Sequence, residues 1–197
     1  TAVAAIRKGA YDFLEKPFNA DRLLIVVARA IETARLKREN AALRVRAAAS
    51  ADLIGSSPVM AQLRNAVDRI AQSNSRVMIS GPSGSGKELV ARLLHDRSPR
   101  GPGPFVAINA ASIAPERMES ELFGEEGPDG RPRKIGVFEQ AHQGTLLLDE
   151  VGDMPVETQS KILRVLVDQR FRRLGGSADV QVNVRVVSST SRDLRMD

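Results

Sequence analysis

The chain has 197 residues, 42% of them hydrophobic and 27% charged, enough for one sizeable packed core and an appendage. It contains no cysteine, which excludes a disulfide framework and thiolate metal sites, and its two histidines, His95 and His142, lack the spacing of a ligand pair. The formal charge of +5 is unevenly placed: residues 1–50 carry ten Lys/Arg against five Asp/Glu, whereas residues 51–197 carry nineteen of each and offer no net charge for holding nucleic acid.

In chain order, Thr1–Gly9 reads as the end of an amphipathic helix and Ala10–Leu14 as a short strand, followed by Glu15-Lys16-Pro17-Phe18. Asn19 or Asp21 can cap a helix from Arg22 to about Arg46, whose first half keeps Leu23, Val27, Ala30 and Ala34 at helical spacing. Beyond Thr33 the helix becomes charged, with Leu36 and Leu43 its large apolar residues before Val45, so this half is either a solvated single helix or a short seam to a second copy through Leu36, Asn40 and Leu43. Residues 47–57 are small and polar and mark a domain boundary. A helix from Pro58 to about Gln72 then carries Met60, Leu63, Val67 and Ile70 on one face. No apolar run reaches the length of a membrane span and no signal peptide is visible, which points to a cytoplasmic protein.

The next stretch organises everything after it. Val77-Met78-Ile79-Ser80 is a short strand that stops at Gly81-Pro82-Ser83-Gly84-Ser85-Gly86-Lys87-Glu88, and a helical pattern begins at Glu88. Phosphate oxygens need several backbone N–H donors converging on one point. Glycines permit that close approach, and the start of the following helix adds unpaired N–H groups and a partial positive charge. Strand, glycine loop, lysine and helix together form a P-loop, with Lys87 placed to reach the β- and γ-phosphates of a nucleotide. Glu88 stands where a Ser or Thr hydroxyl commonly meets Mg²⁺. A second motif, Thr145-Leu146-Leu147-Leu148-Asp149-Glu150, is a hydrophobic strand ending in two acids and reads as a Walker B element. Asp149 is expected to hold Mg²⁺, through water because Glu88 offers no hydroxyl, and Glu150 to act as general base on the attacking water.

Between and after these motifs come a Pro/Gly-rich loop at 99–104, a strand at Phe105–Asn109, a helix at Glu116–Phe123 and a charged loop at Glu125–Lys134. A helix at Pro155–Gln169 follows, with Ile162, Leu163, Val165 and Leu166 apolar, and a strand at Val182–Ser188. Alternating strands and helices predict an α/β fold, a parallel sheet flanked by helices with the nucleotide at the strand carboxyl ends.

Two resemblances extend this reading. Ala5 to Phe18, ending Glu-Lys-Pro-Phe, resembles the last part of a response-regulator receiver domain, in which the lysine matching Lys16 contacts the phosphoryl group. Gly-Pro-Ser-Gly-Ser-Gly-Lys-Glu, Phe-Val-Ala-Ile-Asn-Ala-Ala, Glu-Leu-Phe-Gly, Gly-Thr-Leu-Leu-Leu-Asp-Glu-Val-Gly-Asp-Met-Pro and Arg-Arg-Leu-Gly-Gly resemble, in that order, the AAA+ domain of NtrC-type bacterial enhancer-binding regulators over residues 53–197. The implied domains are a receiver fragment at 1–20, its last helix and a linker helix at 21–50, and an AAA+ domain without its lid at 51–197. The phosphoacceptor aspartate, the lid and a C-terminal DNA-binding domain would lie outside a chain that reads as a piece of a longer protein.

In that family Glu88 after the lysine is ordinary, and Ile54 and Gly55 lie against adenine. Asn109 matches the asparagine that holds the Walker B glutamate inactive, and Thr190 falls in the sensor I stretch, where many relatives have Asn in place of Ser191. Arg172 and Arg173 match the region that sends an arginine finger to a neighbouring subunit, Arg173 being the better match, which implies a dimer or a hexameric ring. Typical members follow Glu-Leu-Phe-Gly-His-Glu with Gly-Ala-Phe-Thr-Gly-Ala, a loop that grips σ54; here Glu125-Glu126-Gly127-Pro128-Asp129-Gly130-Arg131 takes its place. That departure resembles the NtrX branch, whose members pair with NtrY-type sensor histidine kinases in nitrogen metabolism, and it argues against σ54 as a partner. Three functions follow as expectations: an ATP- and Mg-dependent response regulator acting with DNA and RNA polymerase without the σ54 grip, a conventional σ54 activator ATPase, or a nucleotide-binding oligomerisation scaffold with little turnover.

Overall fold

The computed structural model of the chain describes residue 12, residues 20–49 and residues 52–193. The chain divides into two compact units, residues 1–50 and 51–197. The expected receiver elements, with Lys16 and the alternative cap Asn19, lie outside the described residues.

In the first unit, α1 spans Ala20–Ala49, longer at both ends than the expected Arg22–Arg46. No Gly or Pro interrupts residues 20–49, and Ala47–Ala49 are the strongest of helix formers, so nothing stops the helix at Arg46. Asp21 sits inside the first turn, where its charge suits the helix dipole, rather than at a cap. The partly covered stripe runs through Leu23, Val26, Ala30 and Thr33, one position off the expected Val27 and Ala34, while Leu24, Ile25 and Ile31 are exposed.

The second unit is built on a parallel sheet of β1 (Val77–Ser80), β2 (Phe105–Asn109), β5 (Thr145–Asp149) and β8 (Arg185–Thr190), in the order β1-β8-β5-β2. β5 is central, and Thr145 to Leu148 are fully buried, as a strand covered on both faces requires. One side of the sheet carries α2 (Pro58–Ala71) and α3 (Lys87–Asp96), where Leu53, Val67, Ala71, Leu93 and Leu94 form one core. Ser57 starts α2 by accepting a bond from the Met60 amide at 3.3 Å, and Pro58 occupies the first turn, where no amide is missed. The larger core involves α4 (Pro115–Phe123), the single turn α5 (Val137–Gln140) and α6 (Val156–Asp168). At its centre Phe123 and Phe138 stack at 5.7 Å, with Phe171 tilted against both.

The structure departs from the expected elements in several places. The last strand is shifted from Val182–Ser188 to Arg185–Thr190. Val182 and Val184 are buried and so look strand-like, but their amides are taken by the Gln169 carbonyl and side-chain oxygen, both at 2.9 Å, outside the sheet. Leu163 lies on the outer face of α6, not in the core. The segment Glu125–Lys134 is not an open loop but a hairpin of β3 (Glu125–Glu126) and β4 (Pro132–Lys134). Its tip closes through Gly127 N–H to the Arg131 carbonyl at 2.8 Å and Arg131 N–H to the Asp129 carboxylate at 3.2 Å. Its base is tied to the connection within a second hairpin, β6 (Arg170–Arg172) with β7 (Asp179–Gln181). There Glu126 N–H donates to the Leu174 carbonyl at 2.9 Å, and Leu174 N–H to the Gly124 carbonyl at 3.0 Å.

His95 is a packing residue, buried with its Nδ1 2.9 Å from the Thr145 hydroxyl. Arg185 is buried within β8, and its guanidinium donates to the carbonyls of Ile70, Ala71 and Ser75 at 2.9–3.2 Å, closing the end of α2 onto the sheet. Among the described residues, no helix is long and apolar enough to cross a membrane.

Candidate functional site

The parallel sheet brings the carboxyl ends of β1, β8, β5 and β2 to one edge, and the loop 81–86 lies there. Gly81 N–H donates to the Thr190 carbonyl at 3.2 Å, tying the loop to β8, and Ser85 N–H to the Pro82 carbonyl at 3.2 Å, turning it. Gly84 (φ 75°) and Gly86 (φ 87°) take left-handed conformations that a side chain would strain. Gly86 is the N-cap of α3 and contributes no side chain there. The first-turn amides of α3, at Lys87, Glu88 and Leu89, have no acceptor within the helix and stand beside a loop whose residues 82–85 are exposed.

Lys87 is buried, and its ammonium donates to the carbonyls of Gly81 at 3.0 Å and Pro82 at 3.3 Å. It also pairs with Glu150 Oε1 at 3.2 Å. Glu150 follows β5 in a left-handed conformation (φ 54°, ψ 51°), unusual for a residue with a side chain. Its Oε2 accepts from both the backbone N–H and the hydroxyl of Ser191, at 2.7 and 2.8 Å. The Ser191 amide above all holds this carboxyl below the usual range. Partial burial opposes it, and the Ser191 hydroxyl and Lys87 reinforce it.

Asp149 is held from both sides, Oδ1 by the Ser189 hydroxyl and Oδ2 by the Asn109 side-chain amide at 3.0 Å. Asn109 was expected to hold Glu150. The strand register instead pairs Asn109 with Asp149 across β2 and β5, so its short side chain meets the aspartate. Its side-chain Oδ1 caps the following turn by accepting from Ala111 N–H at 2.9 Å. Thr190 is buried at the end of β8 with its hydroxyl accepting from Arg192 N–H at 3.1 Å, and the residue that reaches Glu150 is its neighbour Ser191. Ser191 was visible as a hydroxyl residue next to the strand, but its bond to Glu150 spans 41 positions and leaves no local trace.

The other expected site residues fall at different distances from this centre. Glu88 is exposed and pairs with Arg92 at 3.4 Å. A cavity of about 570 Å³ opens between Met78, Ser80, Gly81, Pro82 and the segment 190–193. Ile54 and Gly55 do not line it. Ile54 is 92% exposed, and the segment is tied instead to α2 through Arg64, which donates to the carbonyls of Leu53 and Gly55.

Arg173, expected to project towards a neighbouring copy, is turned inward. It forms a fork with Glu139 at 2.8 and 2.6 Å, reaches Glu126 at 3.4 Å, and is only 14% exposed. A cation between two largely covered carboxylates is held within its own subunit, and Glu139 raises its pKa further. Arg172, beside it, is exposed and pairs with the exposed Asp179 at 2.8 Å. Lys16 lies outside the described residues. Among those residues no group of three or more His, Cys, Asp or Glu side chains is placed to hold a metal ion by itself.

Comparison with known proteins fits this arrangement. Residues 53–197 match the sigma-54 interaction domain family. The chain is 58% identical over 194 residues to the nitrogen assimilation regulatory protein NtrX of Azorhizobium caulinodans, covering 98% of this chain and 42% of that protein. It is 43% identical to the DNA-binding transcriptional regulator NtrC of Klebsiella pneumoniae, over 99% of this chain and 42% of that one. Among solved structures, NtrX from Brucella abortus in complex with ATP is 58% identical with a TM-score of 0.74, covering 99% of this chain and 41% of that one. The chain thus spans about two-fifths of the length of these relatives. With the P-loop, the acid-ended central strand and the Arg-Arg-Leu-Gly-Gly turn in one α/β sheet, and with relatives matching nearly its whole length, the chain belongs to the sigma-54 interaction domain family of NtrC-type regulators, on the NtrX branch.

Proposed function

We propose that this chain is the nucleotide-binding part of a two-component regulator of transcription that binds ATP with Mg²⁺ and hydrolyses it when assembled with further copies. One observation carries the reading: Lys87, Asp149, Glu150, Asn109 and Ser191 converge where the strands end, beside the free amides of α3. The structures of NtrX from Brucella abortus in complex with ADP and with ATP support it. In this reading the α3 amides and Lys87 hold the phosphates. Asp149 would hold Mg²⁺, through water because Glu88 offers no hydroxyl and no carboxylate cage is present among the described residues. The ion, when bound, would neutralise charge on the phosphates. Asn109 and Ser189 orient Asp149, and Ser191 orients Glu150, the general base towards water. Turnover would draw on an arginine from a neighbouring copy. Arg173 could serve only after leaving Glu126 and Glu139, whereas Arg172 has a single exposed partner. A sensor kinase of the NtrY type, DNA bound through a further domain and RNA polymerase are the partners this reading implies for the intact protein.

The test is titration of ATP into the intact protein by calorimetry. Lys87→Ala should weaken binding by about tenfold or more, since a charge-assisted contact to phosphate is lost. Unchanged affinity would remove the P-loop from the reading.

Within that function we infer that σ54 is not gripped. The hairpin tip presents Pro128, Asp129, Gly130 and Arg131, closed on itself by its own hydrogen bonds and without the aromatic anchor that stable interfaces favour. The family match favours the competing reading, a conventional σ54 activator. Capture of σ54 by the intact protein in an ADP–metal-fluoride state separates the two. The hairpin reading expects none, and stoichiometric capture would overturn it.

A further inference from the structure

The ammonium of Lys87 has three N–H donors and three acceptors around it: the carbonyls of Gly81 and Pro82, and Glu150 Oε1. A phosphate oxygen can reach this lysine only by displacing one of them. The two carbonyls are neutral and belong to the loop itself. Glu150 is charged, only 14% exposed, and would repel an arriving phosphate as well as occupy its partner. We propose that Glu150 is a built-in competitor for the phosphate-binding lysine, so that the general base and the nucleotide phosphates exchange places on Lys87.

Glu150 is fitted for this exchange by its second anchor. Oε2 stays bonded to the Ser191 amide and hydroxyl when Oε1 is released, so the carboxylate does not swing into solvent. Its left-handed backbone also fixes the direction from which it reaches. The freed Oε1 then has an acceptor position open for a water proton. Before phosphate arrives the base is neutralised by Lys87, and afterwards it is armed. Ser191 is therefore a positioning residue, acting through Glu150. Asn109 has no part in this hold, since it is occupied with Asp149 and Ala111.

The inference rests on the nucleotide reading above and concerns how that same site is regulated. It is tested by binding of ADP, without metal and without turnover, to the intact protein. Glu150→Gln and Glu150→Ala both remove the competing charge. Each should bind ADP about three- to thirtyfold more tightly than wild type, the scale of a largely covered ion pair released from competition. Adenosine, which has no phosphate, serves as the control and should bind all three proteins equally. Equal or weaker ADP binding by both variants would overturn the proposal, and so would a gain shared equally by adenosine. If neither wild type nor variants bound ADP, the nucleotide reading itself would fail and take this inference with it. A gain confined to ADP upholds both.

Discussion

Arg173 gives the sharpest test of how the domain is held together. Its guanidinium is 14% exposed and lies between Glu139 and Glu126, whose side chains are 16% and 8% exposed. Truncation to alanine deletes three charge-assisted contacts and leaves two largely covered carboxylates facing each other. Breaking a fully buried pair by removing one partner costs about 3–5 kcal/mol, and residual solvent access here reduces that to about 2–3 kcal/mol. A domain of this size loses about 3 °C of melting temperature per kcal/mol, so Arg173→Ala should melt about 6–9 °C below wild type. The neighbouring Arg172→Ala is the control. Its pair with Asp179 is exposed on both sides and should be indistinguishable from wild type in the same calorimetric scan. Equal melting of the two variants would refute the argument that Arg173 is a structural clamp and reopen its assignment as a residue reaching towards a neighbour.

Two further outcomes follow from local geometry. Gly124 has φ 75°, and a Cβ there would lie 2.4 Å from the Lys134 carbonyl and 2.7 Å from the Gly136 amide. Gly124→Ala should therefore cost about 3 kcal/mol or more in urea unfolding. Gly130→Ala, at φ 71° with open space around it, should show only backbone strain of about 1 kcal/mol. Glu150 and Glu121 both have carboxyls depressed in the folded state, by the Ser191 amide and by a hydrogen bond from Lys134 respectively. Such groups stabilise the fold above the unfolded value of about 4.3, and the contribution is lost as pH falls through the lower folded values. Stability should therefore fall on acidification below about pH 5, and Glu150→Gln should make that fall shallower, read from denaturant midpoints against pH. An unchanged slope would show that the Ser191 contacts do not discriminate between charged and neutral carboxyl.

Where neighbours in sequence decide the structure, the sequence was readable. Val77–Ser80, the glycine loop and the start of α3 lie within a dozen positions, and each residue's own conformational preference agrees with the next. The same holds for β5, whose unbroken apolar run admits only a doubly covered strand. What was not readable depends on register and on distant charges. Asn109 meets Asp149 because β2 and β5 pair in one particular register. Lys87 meets Glu150 because two strand ends converge, 63 positions apart by 150 − 87. The hairpins at 125–134 and 170–181 escaped because their strands are only two or three residues long, too short for an alternation such as Arg170-Phe171-Arg172 to stand out from chance. Arg173 was expected to reach outward from its resemblance alone, and nothing near it in sequence shows the two carboxylates, Glu126 and Glu139, that hold it.

The hairpin at 125–134 separates into a fastened root and a self-contained tip. Its root is stitched to the turn after β6 through Leu174, and a side chain on Gly176 would meet the Glu126 carboxylate at 2.8 Å. Among the described residues the tip's hydrogen bonds run within itself, between Gly127 and Arg131. Lengthening a loop whose ends are already fixed costs only about 0.6 kcal/mol per doubling. Residues 127–131 are thus an interchangeable cassette. They can be shortened, lengthened or rewritten at little cost to the fold, while the fastened root keeps the phosphate-site scaffold and the aromatic core unchanged.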